Sequence, residues 1–311
     1  MKLSIVVPVS PFETEKALKD SLEHVKNLKK HFNCRAVYVI DRNSEKDERA
    51  RIAREMGFEV IERNGRRGKR AGAINDAVEY LKTDPPQFVL ILDIDSRTDV
   101  GTISNCISAL LKDDRAYIAS AKRLILNSFN LVSETVEAEY RLINFLLKRS
   151  SFKQFNGLIG VLRYDLLCEK LNEDAMAEDA DFATRMYARG FKALMVDGVF
   201  YEQAPLSWKD FYRQRKRWYY GGLQLWKYRR EMMKNREARL SWILALTITY
   251  FPILLIPFLP IAFFLLLYYK KRPKIVIGLL IYSIVLQFSA ISAFLDFLRK
   301  KEVEWNAIRR I

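Results

Sequence analysis

The chain has 311 residues, enough for one α/β domain of ordinary size and a tail. Its net charge of +15 needs an anionic partner, and a diphosphate-bearing substrate, anionic lipid or nucleic acid would each satisfy it. The two histidines, His24 and His31, sit together far from every other candidate group, and Cys34, Cys106 and Cys168 are widely separated; this argues against a Ser-His-Asp hydrolase and a His-based zinc site and for reduced thiols.

Residues 3–9 form an apolar run that predicts a first strand, closed by Pro8 to Ser10, and 13–32 has helical spacing. Strands are predicted at 36–40, 58–61 and 88–92, and helices at 45–56, ended by Gly57, and 71–81. The apolar runs are continuous rather than alternating, as in strands buried on both faces. This order predicts an α/β fold, a mainly parallel, Rossmann-like sheet with helices on both faces. Ligands of such sheets bind outside the carboxyl ends of the strands, and Asp41 and Asp93 each directly follow a predicted strand.

Each motif has a structural and a chemical explanation. Asp41 begins an Asx-turn sequence, Asp41-Arg-Asn-Ser44, and is equally placed to hydrogen-bond a nucleotide base. The basic, glycine-containing loop 63–70 is either a solvated charged loop or a phosphate cradle with Lys69 as the direct contact. Asp93 and Asp95 flank one residue, so at a strand end they project to one side. They either cap the following turn or offer one carboxylate to a divalent ion, Mn2+ or Mg2+, and the other to the ribose or the ion's water.

Beyond a strand at 116–121 and a helix at 132–147, Glu178-Asp179 begins a helix that ends at Gly190. Acids there stabilise the helix dipole; alternatively, Asp179 is a general base that deprotonates an acceptor hydroxyl. A strand at 191–196 is followed by an aromatic and basic stretch, 207–240, whose composition suits helices in a membrane interface. In it Gln214, Arg217 and Trp218 stand at i, i+3 and i+4 on one helix face, able to bind a diphosphate and stack on a sugar, or to anchor in lipid headgroups.

Residues 241–269 carry no charge, and a second apolar run extends over 275–295 after a basic turn at 270–274. Both have the length and composition of membrane segments. Pro252, Pro257 and Pro260 interrupt the first, which makes it a kinked crossing or a re-entrant hairpin. Two crossings would put the basic turn outside, and a re-entrant first segment would put Arg299 to Lys301 outside, so positive charge chooses neither. Most basic clusters adjoin this tail, which favours a membrane surface over nucleic acid. The first residues are too short and strand-like a run for a signal peptide, so the catalytic part is expected in the cytoplasm, at the cell membrane.

The ordered set Asp41, Asp93-Ile-Asp95, Glu178-Asp179 and Gln214-Arg-Lys-Arg217-Trp218 resembles glycosyltransferase family 2, in particular its membrane-bound branch of cellulose, chitin and hyaluronan synthases. Phe155-Asn-Gly157 and Gly68-Lys69-Arg-Ala-Gly-Ala-Ile-Asn75 also resemble family motifs. The resemblance covers 3–222 and implies a GT-A fold with inverting, metal-dependent transfer from a nucleotide sugar, a UDP-sugar ahead of a GDP-sugar. It implies donor contacts from Pro8, Asp41, Lys69, Asp93, Gln214, Arg217 and Trp218, metal at Asp95 and the base at Asp179. Gly157, Glu178 and Trp218 fall on the acceptor side. Ser10-Pro11 and Ala177 depart from the family pattern, which commonly has Asn after an aromatic and Thr.

The sequence reading therefore divides the chain into a catalytic domain (1–206), interfacial helices (207–240), transmembrane or re-entrant helices (241–298) and a basic tail (299–311). With at most about two or three crossings, too few for a polymer channel, the expected acceptor is a lipid-linked or membrane-presented saccharide. Two alternatives remain: a polyprenyl-phosphate glycosyltransferase, and a non-catalytic, membrane-tethered nucleotide-binding protein.

Overall fold

A computed structural model describes residues 2–65, 67–247 and 274–301. The elements in chain order are β1 (Leu3–Val9), α1 (Glu15–Phe32), β2 (Arg35–Asp41), α2 (Arg49–Glu55), β3 (Glu59–Arg63), α3 (Lys69–Leu81), β4 (Phe88–Ile91), β5 (Arg97–Thr98), α4 (Val100–Lys112) and β6 (Ala116–Ile125). There follow α5 (Leu131–Arg149), β7 (Gly160–Arg163), α6 (Tyr164–Leu167), α7 (Glu178–Ala188), β8 (Lys192–Glu202), α8 (Trp208–Gln224), α9 (Arg229–Lys234), α10 (Arg239–Thr247) and α11 (Lys274–Leu298). The chain divides into two compact units, Met1–Arg123 with Lys153–Glu202, and Leu124–Phe152 with Gln203–Ile311.

The eight strands among the described residues form one sheet in the order β3-β2-β1-β4-β7-β6-β8-β5. β1 pairs in parallel with both β2 and β4, and β2 with β3, as the alternating pattern predicts. From β7 onward the expectation of a mainly parallel sheet needs correction: β7 is antiparallel to β4 and β6, and β5 to β8, so the sheet is mixed. The short turn Asn156–Leu158 runs directly into β7, so β7 enters from the carboxyl end of β4, with Ile91 opposite Gly160. This reversal delivers the turn to the edge where β1, β2 and β4 end.

The pleat explains the core. Ile5, Val7, Tyr38, Ile40, Leu90 and Leu92 share one cluster with the apolar stripe Leu18, Leu22, Val25 and Leu28 of α1 and with Ile103 and Leu110 of α4. The alternate residues Val6, Val37, Val39 and Val89 are also buried, on the side that α3 covers. Thr14 caps α1, its hydroxyl accepting from the Ala17 amide at 3.1 Å. The second helix starts at Arg49 rather than 45, because Asp47 accepts from the amides of Asn43 and Arg49, each at 3.0 Å, and folds the preceding residues into a turn. The Arg49 side chain, 1% exposed, holds Asp47 at 2.6 Å and keeps its carboxyl down at about 2. Its guanidinium also donates to the Ser10 and Asp41 carbonyls, each at 2.8 Å, tying together the ends of β1 and β2.

In the second unit, Val132, Val136 and Tyr140 of α5, Phe211 of α8 and Leu286 of α11 form a cluster. Beside it Arg215 pairs with Glu139 at 2.5 Å, both buried. Within α11, the 22 residues Ile277–Leu298, of mean hydropathy 2.0, are long and apolar enough to cross a membrane. The first apolar stretch lies outside the described residues from 248 onward, as do the basic turn up to 273 and the tail from 302.

Candidate active site

Parallel pairing brings the ends of β2 and β4, with Asp41 and Asp93, to one edge of the sheet. Asp41 is the last residue of β2 and buried, with Oδ1 3.3 Å from Arg63 Nε. Arg63 also reaches Asp76 at 3.2 Å and donates to the Lys69 carbonyl at 3.1 Å, which pins the loop before α3. Pro8 is buried within β1, opposite Val39.

The centre of the site is Arg70, on the first turn of α3. Its Nε donates to Asp93 Oδ1 at 2.8 Å, Nη1 to Glu178 Oε1 at 3.0 Å and Nη2 to the Gly157 carbonyl at 2.5 Å. Burial opposes its charge, but Asp93 and Glu178 more than offset that, holding the guanidinium above its ordinary pKa. The Gly157 amide in turn donates to Asp179 Oδ2 at 2.6 Å, and the Ala180 amide to Oδ1 at 2.8 Å. Gly157 thus carries Asp179 on its N–H and Arg70 on its carbonyl. A second buried arginine, Arg123, donates to the Asn156 carbonyl at 2.9 Å and pairs with Glu202 at 2.8 Å.

Two features favour glycine at position 157. Its φ is +64°, and an added Cβ would lie 3.2 Å from Arg70 Nη2 and 3.3 Å from Asp93 Oδ2. The structure therefore brings Asp93, Gly157, Glu178 and Asp179 together through a residue that the motif reading passed over. Lys69, its neighbour, is exposed, with Nζ 3.9 Å from Met176 Sδ. Backbone geometry distinguishes the two: Arg70 shares its helix face with buried Ala73, Ile74, Ala77 and Leu81, whereas Lys69 stands at φ +48°, outside the helical range, and is exposed.

Asp95, 7% exposed, stands two residues beyond Asp93. Among the described residues no group of three or more His, Cys, Asp or Glu could hold a metal ion alone. A hard divalent ion on a diphosphate needs only one or two protein carboxylates, and the oxygen donors of Asp93 and Asp95 suit that chemistry.

Gln214, Arg217 and Trp218 all lie in α8, in the second unit. The Arg215 guanidinium lies over the Trp218 ring at 4.1 Å, and Lys216 pairs with Asp296 at 2.5 Å. Arg215 is thus the structural cation of the motif, paired with Glu139, which sequence spacing does not reveal.

A mixed sheet that gathers carboxylates from strand ends and a glycine turn at one edge is an α/β domain of the GT-A type. The same fold is seen in a mannosyltransferase of Pyrobaculum calidifontis, solved with GDP-Man and Mn2+, at a TM-score of 0.66, 18% identity and coverage of 97% of this chain and 88% of that one. It is seen again in residues 1–349 of S. aureus TarS, at a TM-score of 0.53, 12% identity and coverage of 98% and 94%. The family model described as glycosyl transferase family group 2 matches residues 88–291, and the chain belongs to that family. Similar relatives include glucomannan 4-beta-mannosyltransferase 7 of Arabidopsis thaliana, 25% identical over 177 residues, 54% of this chain and 32% of the relative. Glucomannan 4-beta-mannosyltransferase 1 of Cyamopsis tetragonoloba is 25% identical over 185 residues, 57% and 35%. The chain spans about a third of the length of these relatives.

Proposed function

We propose that this chain transfers a hexose, with inversion, from a nucleoside-diphosphate sugar to a hydroxyl of a membrane-presented saccharide. The observation that supports it most is the Gly157 turn, which holds the Asp179 carboxylate on one side and Asp93, through Arg70, on the other. A base and a donor-binding acid are then held by one turn with fixed geometry. Asp179 takes the proton of the acceptor hydroxyl as its oxygen bonds the anomeric carbon; the bond from that carbon to the diphosphate oxygen breaks, and the nucleoside diphosphate leaves. Asp95, with Asp93, would hold Mn2+ or Mg2+, which when bound supplies charge for the departing diphosphate. Asp41 would contact the base, Pro8 and Lys69 the donor, and Gln214, Arg217 and Trp218 the diphosphate and acceptor end, as their motif positions suggest.

The mannosyltransferases among the relatives, and GDP-Man in the solved neighbour, favour a GDP-mannose donor, reversing the sequence-based preference for uridine. The test is release of nucleoside diphosphate from GDP- and UDP-sugars by the purified chain with a lipid-linked oligosaccharide and Mn2+ or Mg2+. Asp179→Asn is expected to lower turnover by at least about 100-fold with donor binding retained. Asp95→Asn is expected to weaken metal-dependent donor binding. Full turnover in Asp179→Asn would instead place the acceptor among lipid phosphates, which need no base. Binding without turnover of any donor by the wild type would refute the transferase reading.

A further inference from the structure

The peptide group between Asn156 and Gly157 is held at both ends by charged side chains. Its carbonyl accepts from Nη1 and Nη2 of Arg123, each at 2.9 Å, and from the Ile159 amide at 3.4 Å. Its N–H is the group that donates to Asp179 Oδ2 at 2.6 Å. In a trans peptide the carbonyl and the N–H point in opposite directions within one plane. Arg123 and Asp179 are therefore the two ends of one hydrogen-bonded line, with a guanidinium on the carbonyl and a carboxylate on the N–H.

The sheet places Arg123 there. β6 and β8 are neighbours, and Arg123, near the end of β6, pairs with Glu202, the last residue of β8, at 2.8 Å. Arg123 is 5% exposed. Stability alone is a poor reason for such a pair, since well-packed apolar side chains of similar volume commonly replace a buried ion pair at no net cost. An apolar side chain cannot polarise the carbonyl, however. Positive charge at the carbonyl oxygen draws electron density from the amide nitrogen, and the Gly157 N–H becomes a stronger donor, as hydrogen bonds in a chain strengthen one another.

We propose that Arg123 is a positioning residue for Asp179, acting through the Asn156–Gly157 peptide. Its charge strengthens the hydrogen bond that fixes the Asp179 carboxylate in one orientation, and Glu202 sets how much of that charge the peptide feels. Oδ1 of Asp179 accepts from the amide of Ala180, the next residue of the same helix, so the Gly157 bond is the tie that reaches the carboxylate from outside α7. A carboxylate free to turn about its side-chain bonds is out of place for proton transfer during much of its time. The inference rests on the proposed transfer reaction, in which Asp179 is the base.

The Gly157 amide can be read directly. The chain has two Asn-Gly pairs, Asn64-Gly65 and Asn156-Gly157, so isotope labels at asparagine carbonyl carbons and glycine nitrogens select two amide signals in NMR spectra of the full chain in detergent. Asp179→Asn, which removes the acceptor's charge, identifies the Gly157 signal as the one that moves. Arg123→Gln keeps a donor for the carbonyl without the charge, and its Gly157 proton is expected to move upfield. Glu202→Gln leaves the guanidinium without that counter-charge and is expected to move the same proton downfield. Opposite signs are the signature, because a merely loosened turn moves both upfield. With the donor that the wild type turns over, Arg123→Gln is expected to lower kcat about 10-fold with the donor KM within about twofold. Arg123→Lys, which can give a proton to the carbonyl and another to Glu202, is expected to restore kcat to within about threefold of wild type. Shifts of the same sign in the two glutamine variants, an unmoved Gly157 proton or an unchanged kcat in Arg123→Gln would each overturn the proposal. If Arg123→Gln does not fold, the sign of the shift in Glu202→Gln decides alone. A wild type that turns over no donor removes the transferase reading, while the two shifts still report the coupling, so the two failures are distinct.

Discussion

Arg70 does more with one side chain than any other residue of the site, because its planar fork meets Asp93, Glu178 and the Gly157 carbonyl at once. A lysine keeps the charge but has one donor centre. Arg70→Lys is therefore expected to lower turnover by about 10- to 100-fold with the fold intact, because both carboxylates and the glycine turn lose registry. Arg70→Ala, which leaves Asp93 and Glu178 without their shared cation, is expected to lower stability by about 3 kcal/mol in urea unfolding. An Arg70→Lys protein with the wild-type rate would refute the positioning role. The acids around Arg70 were legible in the sequence because acids at strand ends and helix starts stand out by position. Arg70 was not, because in a run of basic residues nothing local announces that Lys69 takes a left-handed backbone and stays outside while the next residue turns inward.

At the scale of elements, the first parallel strands and their helices are legible to within a few residues, since continuous apolar runs and amphipathic stripes are local signals. The direction of β7 is not local. It depends on which edge of β4 a four-residue strand joins, and nothing in Gly-Val-Leu-Arg states it. A similar non-local contact couples α1 to β5: the half-buried His24 accepts from the Thr98 amide at 3.2 Å. Burial, with nearby Arg97 adding to it, pushes the His24 pKa from 6.5 down to about 4. The neutral ring is the folded form, so its contribution is complete above 6.5 and declines as pH falls toward about 4, where the unfolded chain binds the extra proton. Partial exposure reduces the effect to about 1 kcal/mol between pH 7 and 5. Urea unfolding across that range is expected to show this slope, and His24→Gln, which keeps an acceptor for Thr98, is expected to flatten it.

For the molecule as a whole, composition correctly drew attention to the apolar tail but gave no account of what lies against it. Half of that account is the packed face of α11. Leu286 shares a cluster with Tyr140 and Phe211, and the Arg215–Glu139 pair lies on the same helices. Such a helix is a structural wall as well as a greasy one, and this bears on how the protein is made soluble for study. Deleting the chain from Lys274 onward would uncover that cluster and weaken the seating of α8, the helix bearing Gln214, Arg217 and Trp218. The shortened protein is expected to melt at a lower temperature and to bind hydrophobic dyes, measurable by calorimetry and fluorescence. Exchanging exposed residues of this helix such as Ile284 and Phe288 for polar ones spares the wall. A more soluble form of the protein is better begun by repainting the outside of this helix, leaving its length and its inner face as they are.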